Sequence, residues 1–168
     1  NLALNGLPEF IGATDATQLG GRIRISPSLD YLERAYDAAK YGGFSPHPYL
    51  EMVIPTIHEP ELAPAGHHIL TVTAQYAPYA LREGHWDSLG GEFADTVLGT
   101  LEGVAPGTRA KMVHCQVITP LDWEREYGLT EGNIHHGQMG LDQMLVMRPI
   151  PGFSRYETPV RNLYFCGA

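Results

Sequence analysis

The sequence predicts an α+β fold: a mixed, largely antiparallel β-sheet with helices packed on one face. Three observations carry that expectation. Short segments of period-two hydrophobicity follow one another without the strict strand–helix alternation of a parallel sheet. Two longer segments place apolar residues three and four apart, as helices with one buried side do. Thirteen prolines and 19 glycines in 168 residues punctuate nearly every junction between them.

Each element has a local reason. Residues 1–7 read as an opening strand, and a polar, glycine-rich stretch fills 12–21. Arg22-Ile-Arg-Ile25 alternates as a half-buried strand does, and Ser26-Pro27 opens a helix that should run to about Tyr41 with Leu29, Leu32, Tyr36 and Ala39 on its apolar stripe. Two strands follow. Residues 49–55 put Leu50, Met52 and Ile54 on one face; residues 67–76 put Leu70, Val72, Ala74 and Tyr76 opposite Thr71, Thr73 and Gln75. The proline-bearing loop 55–66 joins them. A second helix is expected over residues 86–104, with Trp86, Leu89, Phe93, Val97, Leu98, Leu101 and Val104 as its core face, closed by Pro106-Gly107.

Residues 110–118 look like a strand with two apolar faces, Val113, Cys115 and Val117 opposing Met112, His114 and Ile118, which predicts a central place in the sheet. Thr119-Pro120-Leu121-Asp122 is a helix-start signal for a short acidic helix over 120–127. Residues 129–159 then read as extended loop with at most one helical turn near 141–145. A loop of that length is usually functional or packed against something else.

Size and charge narrow the function. The length suits one domain. A formal charge of -8 argues against a nucleic-acid or anionic-membrane partner. No apolar run approaches the roughly 18 residues of a spanning helix. Cys115 and Cys166 match no metal or redox spacing and read as free thiols in a reducing compartment, hence a cytoplasmic protein. The chain opens in what reads as mid-strand and stops just after a strand enters a glycine turn. The expectation is therefore a piece of a larger protein, with residues 1–160 in one domain and 161–168 as the first strand of the return into another.

A series of ordered motifs identifies the relatives. Thr119-Pro-Leu-Asp-Trp-Glu-Arg-Glu-Tyr-Gly128 is followed by Gly132-Asn-Ile-His-His-Gly137, Leu141-Asp-Gln143, Arg148-Pro149 and Asn162-Leu-Tyr-Phe-Cys-Gly167. Together they resemble the C-terminal part of the phytoene desaturase-like FAD-dependent oxidoreductases, and among them the pyridine nucleotide-disulphide oxidoreductase domain-containing type. The resemblance extends more loosely to residues 2–10 and 28–43. It implies a chain that is mostly substrate-binding domain, whose parent holds FAD and passes a hydride or its equivalent between an apolar small-molecule substrate and the flavin. The missing FAD domain would then be its partner in cis. It further implies that the loop around Gly132, Asn133, His136 and Gly137 lies near the flavin. Gly167 and Ala168 would begin the glycine-rich segment that meets the flavin pyrophosphate.

The departures from that pattern matter equally. No G-x-G-x-x-G follows a strand, so tight FAD binding and activity are not expected of this chain alone. The glycines at 132, 137 and 140 would let backbone approach a flat ring, yet His135 and His136 read equally well as hydrogen-bonding loop residues without chemistry. The adjacent pairs His67-His68 and His135-His136 lack ligand spacing, and no metal site is expected. Asp142, Gln143 and Arg148 read either as substrate-polarising groups or as a buried ion pair that holds the loop. Asp122, Glu124 and Glu126 form a solvated helix face. Tyr31, Tyr36, Tyr76 and Tyr79 suit a core before a pocket. No catalytic residue is assignable. The competing reading is a non-catalytic binding or assembly domain of the same fold, and an exposed sheet face would allow a homodimer.

Overall fold

A computed structural model describes residues 1–13, 15–135, 140–148 and 150–165, the side chain of Leu145 excepted. The chain falls into two compact units, Asn1–Pro120 and Leu121–Ala168. This is a division by compactness; the assignment of residues 1–160 to a substrate-binding domain stands as a proposal. Among the described residues no helix is long and apolar enough to cross a membrane.

The first unit is a five-stranded sheet with helices. Its strands are β1 (Leu2–Leu4), β2 (Ile23–Ile25), β3 (Tyr49–Val53), β4 (His68–Gln75) and β5 (Met112–Cys115), in the order β2-β3-β4-β1-β5. All four pairings are antiparallel, the sense expected to predominate. The helices are α1 (Leu29–Lys40), α2 (Trp86–Val104) and the single turn α3 (Thr108–Lys111). The α+β class therefore holds.

Period-two alternation sorts the sheet into two faces. Leu2 and Leu4, Leu50 and Met52, and Leu70 turn to one side and meet Leu98, Leu101 and Ala105 from α2 and its end. That face is the core. The opposite side carries Arg24, Glu51 and Thr73 in register across β2, β3 and β4. At its far end Ala3 pairs with Ile69 and His114.

The helix α2 occupies the residues its apolar spacing predicts. Its start is set by Gly84, at φ +76, where an added Cβ would lie 2.7 Å from Leu89 Cδ1. Trp86 then turns inward and its indole N–H donates to the carbonyls of Pro78 and Tyr79. Phe44, Trp86 and Phe93 pack ring against ring beside it.

Two expectations need correction. The strand β5 is an edge, not central, and covers four residues rather than nine. Cys115 faces Leu2 and His114 faces Ala3, but Leu4 faces Met112, so Val113 is the extra residue of a bulge and is 61% exposed. The bulge turns both Met112 and Cys115 toward the core. Two apolar faces in the sequence thus mark an irregular register, not burial on both sides. In α1 the buried centre is Ala35, while Leu29 is 84% exposed. The Tyr31 hydroxyl donates to the Pro48 carbonyl at 2.9 Å, which fixes the helix's rotation about its axis. Ser28 caps it by accepting the Tyr31 N–H.

The second unit opens within α4 (Pro120–Tyr127), which has the expected bounds and packs the Trp123 and Tyr127 rings at a tilt, 4.8 Å between centroids. Three short 3-10 turns, Thr130–Gly132, Leu141–Gln143 and Leu145–Met147, interrupt the predicted loop. Around the bridge between Glu157 and Tyr164 a small hairpin closes, with the Thr158 hydroxyl accepting the Val160 N–H. Beyond Phe165 the expected terminal strand lies outside the described residues. Among the described residues of 121–165 no side chain is buried.

Candidate functional site

The loop expected to face a flavin starts from two left-handed residues, Glu131 (φ +52) and Gly132 (φ +66). Gly132 N–H donates to Leu129 O at 2.8 Å, and Asn133 N–H to Thr130 O at 3.1 Å. The Glu131 N–H donates to Glu124 Oε1, which ties the turn to α4. Asn133 Oδ1 accepts the His135 N–H at 2.8 Å, an Asx turn that leaves Ile134 and His135 exposed. Gly132 and Asn133 are thus half-buried neighbours on one turn. His136, Gly137, Gly167 and Ala168 lie outside the described residues, as does Cys166.

Asp142 and Gln143 are exposed on their 3-10 turn, so the buried ion pair expected as one explanation of these residues is ruled out for Asp142. Ile150, Phe153, Pro159 and Phe165 line a wholly apolar cleft of about 210 Å³. That is less than the roughly 300–1,000 Å³ of a small-molecule site, and admits one apolar group. Among the described residues no three His, Cys, Asp or Glu gather as a metal site would require. The tyrosines hold structure: Tyr36 meets Tyr76 edge to face at 5.4 Å, and Tyr31 anchors α1.

The sequence reading missed an ion-paired group on the sheet face opposite the core. Glu51 Oε1 accepts from Arg22 Nη1 at 2.6 Å, and Oε2 from Arg24 Nε at 2.8 Å. The Tyr49 hydroxyl lies 3.4 Å from Oε2. The Arg24 hydrogen bond, with the charge of both guanidinium groups, holds the Glu51 carboxyl below its usual range. The signal was present in the alternation of Arg22-Ile-Arg-Ile25 and Tyr49-Leu-Glu-Met52, which puts these polar residues together opposite the core.

A dinucleotide would need a pyrophosphate cradle. The described residues do not make one. The turn before α1 is Ser26-Pro27-Ser28, whose Ser28 side chain already fills the helix N-terminus. In the turn before α2, Leu89 sits where a side chain on Gly84 would lie.

The class of protein comes from the sequence relatives, which are oxidoreductase-domain proteins. No protein-family model matches the chain. Along its whole length it is 38% identical, over 178 residues, to pyridine nucleotide-disulfide oxidoreductase domain-containing protein 2 of Rattus norvegicus, and 38% over 177 residues to that of Mus musculus. It is also 30% identical over 115 residues, 68% of the chain and 22% of the relative, to the lycopene-forming phytoene desaturase of a Paracoccus species. The chain belongs to the family of the pyridine nucleotide-disulfide oxidoreductase domain-containing proteins. It spans 30% of the length of the two rodent relatives.

Proposed function

We propose that this chain is the substrate-binding part of a FAD-dependent oxidoreductase and holds an apolar substrate against a flavin carried by the rest of the polypeptide. The observation that carries the reading is the full-length match to oxidoreductase-domain proteins, with a phytoene desaturase among the weaker matches. Two structural features support it. One face of the sheet is left uncovered by α2, and the arm 121–165 exposes Leu141, Val146, Ile150 and Phe165. Apolar side chains left in water in that number suit a surface that is covered in a longer protein.

The flavin, when bound, supplies the redox chemistry. This chain would contribute apolar surface that excludes water and orients the substrate, with Gly132 and Asn133 permitting backbone to approach the ring. FAD titration followed by gel filtration tests the division of labour. The chain alone should elute colourless, whereas a longer polypeptide that contains it should retain flavin. A stoichiometric yellow complex of the chain alone overturns the reading. A longer polypeptide that binds no flavin would point instead to a binding or assembly domain of the same fold.

A further inference from the structure

The uncovered face of the sheet carries a charged cluster that the flavin reading does not use. Arg24 is the register partner of Glu51, and Thr73 is the register partner of Glu51 on the other side. Arg22, two residues before Arg24, shares its face. One carboxylate thus serves two guanidinium groups, so two positive charges and one negative leave a net +1. Each guanidinium carries five N–H donors and spends one on Glu51. The remaining donors are accessible, because the Arg22 and Arg24 side chains are 61% and 58% exposed while Glu51 is 22% exposed.

Stability does not explain the second arginine. An exposed ion pair contributes little to folding, and a carboxylate already neutralised by one partner gains less from another. What the arrangement does accomplish is positional. Glu51 holds two planar forks side by side on one face of the sheet, one on each carboxylate oxygen, and the hydroxyl of Tyr49 stands beside them. Elsewhere the chain is acidic, with a formal charge of -8. A locally positive spot on such a surface selects ligands by charge.

We propose that Arg22 and Arg24, both anchored on Glu51, bind the carboxylate or phosphate group of a small-molecule ligand. An oxyanion accepts from both forks on the side away from Glu51, the charge-assisted geometry that arginine suits best. This goes beyond the flavin reading, because it gives the ligand an ionic end in addition to an apolar body. It does not depend on flavin.

The test uses the 168-residue chain labelled with 15N, and follows the arginine Nε–Hε resonances while inorganic phosphate, and separately acetate, is added at constant ionic strength. Saturable shifts confined to Arg22 and Arg24 are expected at millimolar anion. In Arg22→Gln the Arg24 shift should require about tenfold more anion, with the backbone spectrum of β3 preserved. Saturation by phosphate alone assigns a phosphate site; saturation by both assigns a general oxyanion site that takes carboxylates. Shifts that are absent, that never saturate, that spread evenly over all arginines, or that survive Arg22→Gln unchanged overturn the proposal.

Discussion

Glu102, in the last turn of α2, accepts the backbone N–H groups of both Gly107 and Arg109. It thereby caps the start of α3, which has no side-chain cap from its own Gly107. Arg109 in turn reaches back to the Asp95 carboxylate at 2.9 Å and to the Asp95 carbonyl at 2.8 Å. The helix hairpin that delivers β5 to the sheet is closed by this pair of reciprocal contacts.

The cap makes the fold acid-sensitive. Hydrogen bonds from Arg109 and Gly107 hold the Glu102 carboxyl below its ordinary value of 4.5. Its contribution is fully present above that value and is lost as pH falls through the lower folded one. Glu9 beside Lys111, Asp15 capping Thr17 and Glu51 between its arginines shift in the same direction. The melting temperature should be level near neutrality and drop below about pH 4. Glu102→Gln should flatten part of that drop and lower the neutral-pH melting temperature. An unchanged acid limb in the variant would show that the cap is not formed.

Leu70 and Leu101 are fully buried on opposite sides of the core contact. Leu101→Ala should cost about 2–5 kcal/mol in urea unfolding. Leu29→Ala, on the exposed side of α1, should stay within about 0.5 kcal/mol. Equal losses at the two positions would contradict the rotation of α1 that Tyr31 fixes.

Gly84→Ala should destabilise by roughly 1–3 kcal/mol, since alanine at φ +76 is strained and its methyl meets Leu89. Pairing it with Leu89→Ala removes the clash but not the strain. The double variant should therefore cost less than the sum of the two single changes, as a double-mutant cycle would show.

The arm 121–165 should bind a fluorescent apolar dye. Leu141 is 89% exposed, and Val146 and Ile150 also face solvent. Replacing Leu141 and Val146 together by serine should cut dye fluorescence and reduce any concentration-dependent association seen by sedimentation. Because neither side chain is buried, the melting temperature of the first unit should not move. A fall in stability without a fall in dye binding would mean that these residues serve the fold rather than a surface.

Much of this architecture was readable from residues. The long helix α2 and strands β3 and β4 carry strong periodicity, and their bounds follow from it to within one or two positions. The edge strand was not readable, because a bulge at Val113 shifts the side-chain period in a way that composition does not announce. The rotation of α1 was missed for a related reason: the hydrogen bond from Tyr31 to Pro48, a contact between distant residues, outweighs the pull of Leu29 toward the core. For the candidate site, Gly132 and Asn133 fall on one half-buried turn after α4, and His136, Gly137, Gly167 and Ala168 lie outside the described residues. The Arg22–Glu51–Arg24 cluster escaped notice because its members lie on different strands, and only the pairing register brings them together.

The extra residue Val113 also shapes one margin of the sheet. A regular border strand offers an unbroken row of amide and carbonyl groups onto which another chain can template. Here one additional residue interrupts the register of β5 against β1, and a bulge of that kind is one of the irregularities that blunt a border strand. The two margins of the sheet thus differ in kind: a backbone irregularity marks β5, and a charged side chain, Arg24, marks β2.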